Sequence, residues 1–354
     1  MRDKSDRRHF RDDKELGEEL GKRIVERMRQ EDEAPLVVCV IGQTGVGKSS
    51  LLNALFKSDF AVNHVKPQTK SPEKVVFDAP TGKKIAFFDM PGIGESAEAD
   101  AKYIELYAEI IRKSDIALWA FHCDSRSVAF DRAGLDRVLD VGCASIADKK
   151  EFLSRIIVIL TKADQICPKP WTFAVQKSER QMFGIRISDR AVGSFVPSDE
   201  TSRLLKEKED YYFENFLRPY GSYITVRTYN DTEFENHDEF FSCNEDHVRH
   251  QGLVDAERER ELSSKYPAHA GIFQRLHRSS SVVSCSSTYR YNLGRLMASV
   301  LSRTEVSAAG RISASLDFDA WSTLDLRKAL TFANFRVFDV ASRRWITDFG
   351  SEGR

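Results

Sequence analysis

Residues Gly42, Gln43, Thr44, Gly45, Val46, Gly47, Lys48 and Ser49 fit G-x-x-x-x-G-K-[ST], with the apolar run LVVCVI directly before them and SSLLNALF close behind. The spacing predicts a strand, a tight loop and a helix in succession, since Leu51, Leu52, Ala54, Leu55 and Phe56 recur at helical intervals. Glycines let the backbone curl with its N–H groups pointing inward, and the positive end of the following helix adds to that field. A phosphate chain is the ligand that also uses the lysine and the hydroxyl. Lys48 is expected to bridge the β- and γ-phosphates and Ser49 to ligate Mg²⁺. Ser50, next in the cradle, is expected to serve helix packing or capping.

Further β-type runs occur at EKVVFDA, KKIAFFD, DIALWAF and RIIVILT, and ADAKYIELYAEIIRKS has helical character. Their apolar content is too continuous for a half-exposed sheet, so the expectation is an α/β sandwich with strands covered on both faces. After Asp164 the order breaks. Residues 166–278 are polar and uneven, with a helix expected at SDETSRLLKEKEDYYFENFL and a strand at SYITVRTY, before SSVVSCSS and the helical YNLGRLMASVLSR. The economical organisation is a charged appendage at 1–33, a main domain at 34–305 with an insertion at 166–278, and an extension at 306–354. A long insertion is tolerated because closure entropy grows slowly with length. A second domain ending the chain is the alternative. The Trp- and Phe-rich extension is expected to form helices packed on the main domain or on a partner.

Composition excludes some functions. The 354 residues carry 53 Lys+Arg and 54 Asp+Glu, a net charge of −1, which supplies no general positive field for coating nucleic acid. Residues 1–33 alone hold 10 basic and 11 acidic side chains. The six cysteines are scattered without a C-x-x-C pair, which fits a reducing cytosol. No run approaches the roughly 18 apolar residues of a membrane helix, and no signal peptide is visible, so a cytoplasmic location is expected.

Asp89, Met90, Pro91 and Gly92 follow the strand IAFF. An acid there can hold Mg²⁺ through water, and the Gly92 N–H can sense a γ-phosphate. Thr69, in the polar segment between the two phosphate elements, is the favoured switch hydroxyl for the metal, with Ser71 as competitor. Thr161, Lys162, Ala163 and Asp164 end the strand RIIVIL. A carboxylate at that edge can accept from guanine N1 and its exocyclic amine, while the lysine stem covers the ring. Adenine offers neither donor, so GTP is expected over ATP. Backbone N–H groups at Ser284, Cys285 and Ser286, with Ser287 beyond, are expected to meet guanine O6; Thr228 and Tyr229 form the less favoured alternative.

Together GQTGVGKSSLLNALF, DMPG, TKAD and VVSCSS with YNLGRL resemble the Era/TrmE-like group of small GTPases, most nearly the bacterial and prophage-borne YfjP/YeeP-like GTPases. The resemblance covers approximately residues 34–165 and 278–303. It implies a Ras-like P-loop GTPase domain: a doubly wound, mostly parallel sheet with the long insertion before its last strand and a helical C-terminal tail. It also implies GTP and GDP binding with Mg²⁺ (Ser49, Thr69 and Asp89 as metal residues; Lys48, Thr69 and Gly92 as catalytic ones), slow hydrolysis and a nucleotide-dependent switch. Two positions depart from the group. Gly45 stands where many Era relatives carry the asparagine that helps hold potassium, and Ile93 stands where Ras-like enzymes carry a water-orienting glutamine. Thr161 replaces the commoner asparagine, as in dynamin-like and immunity-related GTPases.

The missing groups point to a partner, a second copy or water held by backbone to assist hydrolysis. The expected partners are an effector protein or nucleotide-dependent self-association. Ribosomal RNA, a partner of several Era relatives, has no separate signature here. A GTP-binding assembly module with negligible turnover and a P-loop ATPase are the rival functions. Cys243, His247 and His250 have spacing suggestive of zinc but are expected to form a solvated loop. His122 and Cys123 are expected to pack locally, and Arg126 is a lesser candidate for a finger toward another subunit. Trp321, Phe332, Phe335, Phe338 and Trp345 are expected to pack on the main domain.

Overall fold

The computed structural model describes residues 36–56, 73–78, 84–90, 97–125, 128–166, 171–177, 181–182, 185–186, 191–235, 239–303, 322–332 and 335–348. The appendage at 1–33, Thr69, Ser71, Pro91, Gly92, Ile93, Arg126 and Trp321 lie outside the described residues. The chain begins with β1 (Leu36–Gly42), α1 (Lys48–Phe56), β2 (Glu73–Asp78), β3 (Lys84–Asp89), α2 (Ala97–Lys113), β4 (Ile116–His122), α3 (Val128–Gly142), α4 (Ile146–Ser154) and β5 (Ile156–Thr161). It continues through β6 (Trp171–Lys177), β7 (Gln181–Met182), β8 (Ile185–Arg186), β9 (Val192–Val196), α5 (Asp199–Tyr212), β10 (Thr225–Tyr229), β11 (Phe241–Cys243), β12 (His247–Gln251), α6 (Ala256–Lys265) and α7 (Ala270–Ser280). Last come β13 (Val283–Ser284), α8 (Leu293–Leu301), β14 (Leu324–Asp325), α9 (Leu326–Ala329), β15 (Phe335–Asp339) and β16 (Arg344–Asp348).

The central sheet has the order β13-β5-β4-β1-β3-β2, parallel throughout except for the antiparallel β2–β3 pair. This is the Ras-like α/β P-loop fold. Its strands are apolar without alternation because both faces are covered. Cys39 and Ile41 of β1 and Trp119 and Phe121 of β4 enter one core. Val38, Val40, Leu118 and Ala120, pointing the other way, enter a second core closed by Leu51, Leu52 and Leu55 of α1 and by Leu296, Met297 and Val300 of α8. Each fully buried aliphatic side chain contributes about 1.5–3 kcal/mol before the entropy of ordering is subtracted. Chain order reverses beside β1, which places the carboxyl ends of β1 and β3–β5 around one crevice, the usual ligand position in open α/β sheets.

Between β5 and β13 the chain builds a three-stranded sheet, β10-β12-β11, and contributes β6 and β9 to a five-stranded sheet, β14-β9-β6-β15-β16. Helix α5 forms where its sequence period requires: the Ser198 hydroxyl accepts from the Thr201 N–H, Asp199 and Glu200 occupy the first turn, and Leu205, Glu209 and Tyr212 recur on the buried face.

Two expectations need correction. The extension does contain helix α9, but its aromatic segments are strands: β15 and β16 pair antiparallel, and β15 also pairs parallel with β6. FRVFD alternates, with Phe335 and Val337 buried and Arg336 exposed, which suits a strand with one covered face and not a helical stripe. Phe335 packs on Phe173 and Phe195, and Phe332 also reaches Phe195, whereas Phe338 meets the exposed Trp345. The second correction concerns Cys243, His247 and His250, which lie in β11 and β12 and not in a loop. His247 and His250, three apart in one strand, face opposite sides and cannot share one ion. Among the described residues, no group of three or more His, Cys, Asp or Glu is arranged to hold a metal.

Candidate functional site

The loop between β1 and α1 is bent by Gly42, Gly45 and Gly47 at φ values of 144°, 79° and 97°. Gly42 allows the closest approach, since a Cβ there would lie 2.2 Å from the Ala120 carbonyl oxygen. Lys48 is buried and folds back over the loop, its Nζ donating to the carbonyls of Gly42 at 3.0 Å and Gln43 at 3.1 Å. Tyr107 of α2 braces the start of the loop by donating its hydroxyl to the Gly42 carbonyl at 3.2 Å. Thr44 and Gly45 are exposed at the crest, Val46 is buried beneath it, and Ser50 sits half-buried in the first turn of α1.

Asp89 ends β3 fully buried, and its Oδ2 accepts from the Ser49 hydroxyl. The neighbouring strands β1 and β3 bring these residues together across 40 positions of sequence. Two oxygen donors beside a phosphate-type loop match the preference of a small hard divalent cation.

Residues 161–164, expected to meet the base, lie on the same edge. The Thr161 hydroxyl lies 2.5 Å from the Val46 carbonyl oxygen and 3.0 Å from that of Phe121, so its shared proton ties β5 to the glycine loop. Lys162 has a left-handed backbone at φ 57°, which sends its Nζ to the Gly45 carbonyl at 2.7 Å and its stem past Gly47. Asp164 accepts from the Ser286 hydroxyl, which also accepts from the Tyr289 N–H at 3.0 Å.

Residues 284–286 are brought to this edge, but their amides are committed elsewhere. Ser284 N–H donates to Glu209 at 2.9 Å, Cys285 N–H to Leu160 at 2.7 Å and Ser286 N–H to Tyr291 at 3.1 Å. The amides of these three, expected to meet a base oxygen, are thus engaged within the protein, and Ser286 presents its hydroxyl to Asp164. Burial pushes the Cys285 thiol well above its ordinary pKa, so it is an inert packing group. The alternative pair Thr228 and Tyr229 belongs to β10 in the separate three-stranded sheet, where Thr228 Oγ1 accepts from Arg275 at 3.2 Å.

Several groups escaped the motif-based expectations. Gln43 donates from Nε2 to buried Asp131 of α3 at 2.5 Å. Burial raises the Asp131 pKa to about 6, against the lowering effect of that hydrogen bond. Glu209 of the inserted α5 holds Ser284, and Trp171 of β6 meets Tyr289 and Tyr291 edge-on at centroid distances of 5.4 and 4.9 Å. None has a local motif; the buried-face spacing of Leu205, Glu209 and Tyr212 was the available signal for Glu209. His122 bonds Gln165 at 3.0 Å, and Cys123 is buried with its thiol pushed up to about 12, both local roles as expected.

Residues 37–162 match the family model described as 50S ribosome-binding GTPase. The chain is 27% identical over 175 residues to YkfA of Escherichia coli (strain K12), covering 49% of this chain and 57% of that protein. To YfjP of the same strain it is 35% identical over 114 residues, covering 32% and 39% respectively. GTPase Era of Caldanaerobacter subterraneus is 25% identical over 250 residues, covering 61% of this chain and 79% of that protein. Toc33 from Arabidopsis thaliana is a solved structure with TM-score 0.36 and 19% identity, covering 56% of this chain and 69% of that one. The chain spans 57% and 39% of the lengths of YkfA and YfjP. The fold and the glycine loop define a P-loop GTPase architecture. Over part of its length the chain is thus similar to Era- and EngB-like small bacterial GTPases.

Proposed function

We propose that this protein binds GTP and GDP with Mg²⁺, hydrolyses GTP slowly, and changes its contacts with the nucleotide bound. The observation that carries this is the Asp164 carboxylate held by the Ser286 hydroxyl while Lys162 crosses Gly47 of the phosphate loop. A fixed carboxylate on that edge rewards guanine, whose N1 and amine both donate, and leaves adenine unmatched. Residues 34–305 form the nucleotide-binding domain in this proposal, with the insertion at 166–278 and the extension at 306–354 available to an effector.

Each group has a separate task. The amides of residues 43–49 grip the phosphates, and Lys48 exchanges its hold on two carbonyls for phosphate oxygens. Ser49 and Asp89 would hold Mg²⁺, with Thr69 joining in the GTP-bound form and the Gly92 N–H sensing the γ-phosphate. When bound, the ion neutralises charge on the phosphates. Gly45 and Ile93 bring neither a potassium ligand nor a water-orienting amide, so unaided turnover is slow and a second copy or effector accelerates it.

The same two residues favour one alternative, a GTP-binding assembly module with negligible turnover. Phosphate release at saturating GTP, followed as protein concentration rises, separates the two. A rate above background that climbs with concentration supports assisted hydrolysis, and a rate at background throughout leaves the assembly function. ATP competing equally with GTP would instead favour an ATPase. The five described cysteines are free thiols, which supports a reducing, cytoplasmic location. No helix among the described residues is long and apolar enough to cross a membrane.

A further inference from the structure

A cavity of about 420 Å³ opens between α7 and α8, lined by Tyr229, Arg275, Arg278, Arg295, Ala298 and Leu301 among others. It shares no residue with the phosphate loop or the base-side segments described above. Three guanidinium groups in one cavity repel each other unless anions intervene, and two are already answered. Arg275 pairs with Asp231 at 2.5 Å and lies with its guanidinium 4.1 Å from the Tyr229 ring centroid. Arg295 pairs with Glu209 at 3.0 Å.

Arg278 is different. It is half-buried, and no carboxylate or hydrogen-bond acceptor pairs with it among the described residues. Burial pushes its pKa below the usual guanidinium range; Tyr229 works against that shift, and the like charges of Arg275 and Arg295 add to it. Three cations against two carboxylates leave one positive charge uncompensated in a partly dehydrated space, an arrangement that a bound anion stabilises.

The geometry narrows the anion. Arg275 and Arg278 stand one turn apart on α7 and Arg295 lies across on α8, so positive charge flanks the cavity from two helices while Arg278 supplies the donors not already engaged. A planar carboxylate presents two oxygens in one plane and suits a single guanidinium fork. A phosphate monoester presents three terminal oxygens in a tetrahedral spread and can engage guanidiniums from different sides. Ala298 and Leu301 add an apolar wall that inorganic phosphate does not need but an organic body does. We propose that this cavity binds the phosphate group of a small phosphomonoester, with Arg278 as its principal charge partner and the Ala298 and Leu301 wall against its organic part.

The test is calorimetric titration of the full chain with phenyl phosphate, inorganic phosphate and benzoate, with and without saturating GDP and Mg²⁺. Phenyl phosphate is expected to bind more tightly than inorganic phosphate or benzoate, in a phase that GDP leaves unchanged. Arg278→Gln is expected to weaken that phase about tenfold or more, as loss of a charge-assisted contact implies, and Arg278→Lys to weaken it less. GDP affinity stays at the wild-type value in both variants. Equal phenyl phosphate affinity in wild type and R278Q overturns the assignment, as does benzoate binding as tightly as phenyl phosphate or the absence of any phosphate binding at millimolar concentration. Arg278-dependent binding only to vesicles containing phosphatidic acid, without free phenyl phosphate binding, would overturn the soluble ligand in favour of a lipid headgroup. Should R278Q fail to fold, the wild-type comparison of phenyl phosphate with benzoate and the R278K titration still decide. Failure of GDP to bind would count against the nucleotide proposal and leave this phase readable.

Discussion

The Glu209 carboxylate on the inserted helix α5 accepts from both the N–H and the hydroxyl of Ser284 on β13, at 2.9 and 2.7 Å. The same group receives Arg295 of α8 at 3.0 Å. One buried acid thus locks the insertion to the strand that leads into Ser286 and its bond to Asp164. Ser286, two residues on, carries the bond to Asp164, so a single hydrogen-bonded chain joins the insertion to residues 161–164.

Removing that acid should loosen the connection. Glu209→Ala leaves Ser284 without its buried acceptor and Arg295 without its partner, a loss of about 2–4 kcal/mol in urea unfolding. Glu209→Gln keeps an acceptor and should lose less. An unchanged unfolding midpoint in Glu209→Ala would show that the contact carries no stability.

Base selection should follow Asp164. Asp164→Asn is expected to lower GTP affinity about tenfold or more and raise preference for xanthosine triphosphate, whose base edge complements the amide. Competition binding with GTP, xanthosine triphosphate and ATP reads this directly. Unchanged selectivity would reject the base contact.

Acid stability should carry the signature of Asp131. Its pKa is about 6 in the folded chain against an ordinary 3.8, because burial opposes its charge. Between those values the folded form holds a proton that the unfolded form has lost, so this residue's contribution falls as pH rises from about 4 to about 6 and then levels. Asp131→Asn keeps a carbonyl oxygen for Gln43 and removes the dependence. It should exceed wild type by about 1–2 kcal/mol at pH 7, solvent screening part of the cost. Parallel urea curves from pH 4 to 7 test the sign; a wild type that gains stability relative to the variant over that range contradicts it.

The glycine loop offers a steric test. In Gly42→Ala the new methyl meets the Ala120 carbonyl at 2.2 Å with φ at 144°. Stability should fall by about 1–3 kcal/mol, with weaker nucleotide binding. Lys48→Ala, which adds no bulk, should lose phosphate affinity while retaining its circular dichroism spectrum. GDP affinity equal to wild type in Lys48→Ala would refute the role given to the loop.

What the linear chain determined was local or periodic: the loop at residues 42–49 needs its glycines at fixed offsets, and strands covered on both faces must be apolar throughout. These constraints act between near neighbours, so TKAD at the end of RIIVIL could be read without a structure. What only tertiary structure decided was which distant groups share a hydrogen bond. Ser286 gives Asp164 its hydroxyl and withholds its amide, Glu209 clamps Ser284, and Asp131 meets Gln43 because sheet order brings their elements together. The FRVFD segment is likewise a strand because β6 offers it an open edge. Pairing across a sheet leaves no fixed spacing in sequence, since the energy of such a contact depends on separation in space and not on separation along the chain.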